Sequence, residues 1–224
     1  MLGIEHYLSF HEEMARGERW KALLARLKQS VVKAFEGQAR LAYRLGLRPN
    51  HVTALGLAFA ILSGLAYWLW SLSPLMAILA PLLALLSGYS DLIDGLMARL
   101  YGLQSKAGAM LDSMLDRYAD IALILGIWAG GLCDPQSAML AAIGSLLVSY
   151  ARARAGGLGL DLAGVGLAER PERLALIVIA SWIELTWRGA LQLGMLILVF
   201  ITHMTAAQRA AYAFIALKHG MASA

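Results

Sequence analysis

Charge is scarce in this sequence. Only 15% of its 224 residues are Asp, Glu, Lys or Arg, where a soluble domain carries about 25%. With 59% apolar residues and a mean hydropathy of +0.63, that deficit excludes an ordinary water-soluble globule and points to an integral membrane protein. Cysteine is nearly missing. The single Cys133 cannot close an intrachain disulfide, so no oxidising compartment is implied. Internal repeats and low-complexity tracts are also lacking, and the length suits one compact helical bundle. The mixed, polar opening "MLGIEHYLSFHEEMARGERW" lacks the basic start and apolar stretch of a signal peptide. The first membrane segment is therefore expected to act as its own insertion signal. No nucleic-acid partner is expected.

What is present is a succession of apolar runs. Residues 1–18 read as a polar lead and 19–45 as an amphipathic helix. In that helix Trp20, Leu24, Leu27, Val31, Phe35, Ala42 and Leu45 recur at helical spacing, with Arg19, Arg26, Lys33, Arg40 and Arg44 opposite. This pattern fits a helix lying on an anionic membrane surface, or one packed on its own bundle; the two readings are compatible. Gly46 and Pro49 end it. Spans are predicted at 51–71, 74–98, 108–132, 136–155, 172–187 and 189–216, each near the roughly 20 residues a bilayer requires. The last two are drawn as a hairpin at "ELTWRG", because one continuous helix would bury Glu184 and Arg188 at about 3 kcal/mol or more each.

Basic residues alternate with that layout. The first 50 residues hold nine of the 19 Lys and Arg, and the connections after the second and fourth spans hold more, whereas "SLSP", "CDPQ" and "ELTWRG" hold only Arg188. The expected architecture is all-α: six transmembrane helices with an N-terminal amphipathic surface helix. Both termini and the polar motifs face the cytoplasm of the cell (plasma) membrane. Residues 1–50 form the lead and juxtamembrane helix, and 51–224 the six-helix catalytic domain.

Against this apolar background, "SGYSDLIDGLMARLYGLQSKAGAMLDSMLDRYAD" carries five aspartates. Asp91 and Asp94, at i, i+3, share one helix face near the end of the second span. Asp112 and Asp116, at i, i+4, share another at the start of the third. The short connection suits antiparallel neighbours, so the pairs are expected to face each other. Four close carboxylates cannot all stay ionised without counter-charge. Hard oxygen ligands select magnesium, manganese or calcium, and paired ions suit displacement at phosphorus. Capping or salt-bridging aspartates are the bland alternative, and it leaves the complementary spacing unexplained. Asp120, one turn deeper, reads as a supporting residue, with Arg117 or another polar group as partner.

These residues resemble a known signature. Asp91-x-x-Asp94-Gly95-x-x-Ala98-Arg99, eight residues, Gly108, three residues, Asp112, three residues, Asp116 is similar at every position to that of the CDP-alcohol phosphotransferase family. The resemblance implies attack of an alcohol hydroxyl on the β-phosphorus of a CDP-linked lipid, with release of CMP. It implies two Mg²⁺ or Mn²⁺ ions held by Asp91, Asp94, Asp112 and Asp116, with Asp116 also the general base. Gly95, Ala98, Arg99 and Gly108, together with Asp91 and Asp94, would shape the CDP site. Asn50 and Ser105 are further candidate nucleotide contacts, although a turn residue and a helix cap explain them as well. A homodimer is also implied.

A second polar region bears on the acceptor. Arg152, Arg170 and Arg173 surround a glycine-rich loop, and Arg209 lies on the last helix. Topology alone would account for them; converging, they would make an anion pocket suited to an acceptor with its own phosphate. "SYARARA", "ERPERL" and "TAAQR" resemble the phosphatidylinositol phosphate and archaetidylinositol phosphate synthase branch, whose bacterial members often carry lysine at position 152. That resemblance implies inositol phosphate as acceptor, its phosphate held by Arg152, Arg173 and Arg209, with Arg170 alongside. A synthase using glycerol phosphate is the alternative. A cation transporter with an acidic site is a remote one, because its site would lie nearer the midplane.

Overall fold

The computed structural model describes residues 34–162 and 164–218, and these are all-helical with no strand. Six helices follow one another: α1 Pro49–Trp68, α2 Pro74–Leu100, α3 Lys106–Ala129, α4 Pro135–Gly156, α5 Arg170–Glu184 and α6 Ala190–Lys218. A helical stretch over 34–44 precedes them. The predicted lead and the first part of the amphipathic helix lie outside the described residues.

Local chemistry fixes the helix starts. Pro49, Pro74, Pro135 and Pro171 stand in the first helical turns, where a missing N–H costs nothing. Ser73, Ser105 and Asp134 accept hydrogen bonds from backbone N–H groups of Leu75, Gly108 and Ser137 at 3.1, 2.9 and 2.8 Å. The predicted hairpin is present: Glu184 accepts from the N–H groups of Gly189 and Leu191, which turns α5 into α6. Among the described residues, three helices are by length and composition long and apolar enough to cross a membrane: α1, α2 and α6. α5, with 15 residues, reaches about 22 Å of a roughly 30 Å hydrocarbon core.

α1 packs against both α2 and α3, α4 against α6, and α5 against α2 and α6. The α1–α3 contact is backbone on backbone. A Cβ on Gly64 would strike the Ala122 carbonyl, and one on Gly126 the backbone of Gly64. Small residues give membrane helices this kind of approach. The expectation that α2 and α3 are close antiparallel neighbours is corrected here. Both lie on α1 instead, and a cleft separates their acidic ends. The glycines draw α3 onto α1, and the acid pairs face each other across the cleft, as expected. Trp68, Trp128, Trp182 and Trp187 are exposed at the opposite end of the bundle, a distribution typical of a membrane–water interface.

Candidate active site

Three helices deliver the site. α2 brings Asp91 and Asp94 in its last turns, α3 brings Asp112 and Asp116 in its first half and Asp120 a turn further on, and α5 brings Arg170 and Arg173 at its start. Asp91, Asp94, Asp112 and Asp116 all line one cavity with Thr53, Ser87 and Arg170. Within it, one carboxylate oxygen from each of Asp91, Asp112 and Asp116 lies within 4.8 Å of the others. Asp94 is more deeply buried, beside Thr53. Asp94 Oδ2 and Asp112 Oδ1 are buried and meet no hydrogen-bond donor. Converging hard oxygens with free lone pairs suit a divalent cation, so the residues present fit the metal their pattern implies.

Arg170 stands inside this acidic cluster. Its Nη1 lies 3.0 Å from Asp91 Oδ2 and 2.8 Å from Asp116 Oδ1, and its Nε lies 3.6 Å from Asp120 Oδ1. Nη2 donates to Ser87 Oγ at 3.4 Å. Arg173 pairs with the other oxygen of Asp120 and donates to the Ala168 carbonyl at 2.7 Å. Asp120 is therefore the partly buried link between the two arginines. Arg117, its candidate partner by sequence, turns back to Ser113 on its own helix.

A second cavity, of about 90 Å³, adjoins the first. Arg117, Arg152, Arg170, Arg173 and Arg209 line it with Asp116, Asp120 and Glu169. All four arginines singled out in the sequence thus meet in one place. Arg209 is 2% exposed. It donates to the Val165 and Val148 carbonyls at 2.8 and 2.9 Å and pairs with Glu169 at 3.1 Å. That ties the 157–169 loop to α4 and α6. Arg152, more exposed, reaches Glu169 at 3.8 Å.

The candidate nucleotide residues lie along the cleft. Asn50 and Ser105 flank Gly108: a Cβ there would sit 3.0 Å from Ser105 Oγ and 3.3 Å from Asn50 Oδ1. Ser105 also caps α3. A Cβ on Gly95 would meet only the tip of Arg99, at 3.9 Å, so open space lies above that face. Ala98 is half-buried and Arg99 exposed. Sequence reasoning passed over Glu169, Thr53 and Ser87. Glu169 left a signal, an acid inside the basic "ERPERL"; Thr53 and Ser87 left none.

A helical membrane bundle with a carboxylate cluster at one end, beside an arginine-lined chamber, defines a metal-dependent enzyme acting on phosphate esters at the membrane surface. More particularly, the chain belongs to the CDP-alcohol phosphatidyltransferase family, whose model matches residues 47–222. It is 32% identical over 187 residues to the archaetidylinositol phosphate synthase of Pyrococcus horikoshii, covering 84% of this chain and 94% of that one. It is 33% identical over 198 residues to the phosphatidylinositol phosphate synthase of Mycolicibacterium smegmatis, covering 81% and 84%. The crystal structure of the Mycobacterium tuberculosis phosphatidylinositol phosphate synthase with CDP-DAG bound is similar, with a TM-score of 0.69, 28% identity, and 80% of this chain and 92% of that one covered. The same protein in complex with manganese and citrate also gives 0.69, at 28% identity, covering 80% and 88%.

Proposed function

We propose that this enzyme transfers the phosphatidyl-type group of a CDP-linked lipid, CDP-diacylglycerol or CDP-archaeol, to a hydroxyl of inositol phosphate. The observation that carries the acceptor reading is the arginine chamber beside Asp116. An acceptor with its own phosphate needs such a chamber, because the carboxylate cluster repels it. The names of the relatives support the same reading.

Asp91, Asp94, Asp112 and Asp116 would hold the divalent cations, Mg²⁺ or Mn²⁺, which neutralise charge on the phosphoryl oxygens and on departing CMP. Asp116 lines both cavities, so its carboxylate is placed to take the proton of the attacking hydroxyl. The oxygen of that hydroxyl bonds to the β-phosphorus, the pyrophosphate P–O bond breaks, and CMP leaves with the bond's electrons. Gly95, Ala98 and Gly108 leave room for the nucleotide, with Asn50 and Ser105 at its edge and Arg99 offering its guanidinium to phosphate. Arg152, Arg173 and Arg209 orient the acceptor phosphate, with Arg170 between the two sites.

The topology goes with this reading. Six helices cross the plasma membrane, both termini and the site are cytoplasmic, residues 1–50 precede the catalytic domain of 51–224, and the lipid tails enter sideways near α2 and α3. A homodimer is proposed by family resemblance. The test offers purified protein a CDP-lipid and magnesium with inositol phosphate, glycerol phosphate, inositol or serine separately, and measures CMP. Release with inositol phosphate alone is expected. Release with glycerol phosphate alone would replace the acceptor, and release that survives EDTA would remove the metal from the reaction.

A further inference from the structure

Two consecutive charged residues at the start of α5, Arg170 and the N-cap Glu169, make their ion pairs in different chambers. Among the described residues, Arg170 is the cation that lines the carboxylate cavity, and it stands against the same Asp91 and Asp116 that the reading above gives to metal. Glu169, the residue before it, stands in the arginine chamber and touches Arg209 and Arg152. Each side chain therefore sits where a reactant of its own sign would bind.

We propose that Glu169 and Arg170 are built-in counter-ions that compete with the reactants and couple their binding. Arg170 competes with divalent cations for the carboxylates, and Glu169 competes with the acceptor phosphate for the guanidiniums. This rests on the functional reading above and adds a role for a consecutive pair within it.

The details favour displaceable contacts. Arg170 Nε and Nη1 lack hydrogen-bond alignment with any acceptor despite their short distances to carboxylate oxygens. Arg170 is thus held as a charge and not as a fitted fork. Glu169 is the N-cap of α5, yet its side chain makes no capping bond. Its carboxylate is spent on the chamber instead. Its side chain is 34% exposed and its contact with Arg152 is long, at 3.8 Å, so the bond to Arg209, at 3.1 Å, is the contact that rotation must break. By contrast, Arg173 and Arg209 are anchored on backbone carbonyls and stay in place.

The coupling follows from adjacency. A cation taking Asp91 and Asp116 expels Arg170, which already borders the second chamber. There it adds positive charge and offers Glu169 a new partner, freeing Arg152 and Arg209 for phosphate. By linkage the effect is reciprocal: acceptor phosphate must tighten metal binding by the same factor.

The test uses the full chain in detergent. Mn²⁺ affinity is read from the paramagnetic resonance of free Mn²⁺, and inositol phosphate affinity by calorimetry at saturating Mg²⁺. In the wild type, inositol phosphate is expected to tighten Mn²⁺ binding. Arg170→Gln is expected to tighten Mn²⁺ binding about tenfold and to abolish that dependence, while Glu169→Gln tightens inositol phosphate binding. Unchanged or weaker binding in either variant overturns the proposal. If Arg170→Gln does not fold, Arg170→Lys, which keeps the charge on a more mobile stem, should shift Mn²⁺ affinity the same way by less; no shift overturns it. Mn²⁺ that fails to bind the wild type sinks the metal site itself. Equal binding to wild type and variant sinks only the counter-ion role.

Discussion

Asp116 borders both chambers, so its replacement separates chemistry from architecture. Asp116→Asn is expected to keep the fold and much of the metal binding while CMP release falls about 10²–10⁴-fold, the usual worth of a positioned base; a near-normal rate would remove that role. Arg173 bears on the acceptor instead. Its alanine variant leaves the partly buried Asp120 with Arg170, at 3.6 Å, as its remaining partner, a loss of at most the roughly 3–5 kcal/mol of a fully buried pair. Arg173→Lys is the cleaner probe, and should raise the acceptor KM by about tenfold or more while the CDP-lipid KM hardly moves. Equal effects on both would count against the phosphate chamber. The acid pairs were legible because i, i+3 and i, i+4 spacing is a local property of a helix. The partner of Asp120 was not. Arg117 is near in sequence, but Arg173, 53 positions away, wins by tertiary placement.

At the level of helices, the α1–α3 contact is the seam that sets the cleft. Gly126 lies against the backbone of Gly64, which has no side chain to move aside. Gly126→Leu is therefore expected to lower stability in detergent by about 1–3 kcal/mol or more, through overpacking, and to reduce activity by pushing α3, which carries Asp112 and Asp116, away from α1. A thermal melt with a CMP assay on the folded protein checks both, and an unchanged melt would deny the seam its importance. The helices themselves were readable from apolar runs, prolines and the cost of burying Glu184 and Arg188. Their neighbours were not, because a short connection suggests adjacency without dictating it. The α2–α3 connection is short, yet glycine contacts draw α3 to α1 and leave the cleft.

For the whole molecule, orientation is the measurable property. Single cysteines introduced at Ser73 and Gln104, in a background without Cys133, are expected to label from opposite sides of the membrane, with Gln104 on the cytoplasmic side. Labelling of both from one side would break the six-crossing arrangement. The basic stretches legible in the sequence predict that orientation. One further consequence follows from Asp116 and Arg170 facing both cavities. On the proposed reading, the seats of the CDP-lipid and of the acceptor would be rooms with a common partition one side chain thick. An inhibitor bearing a chelating head and an anionic tail can straddle it, and tethering raises the effective concentration of the second end once the first is docked.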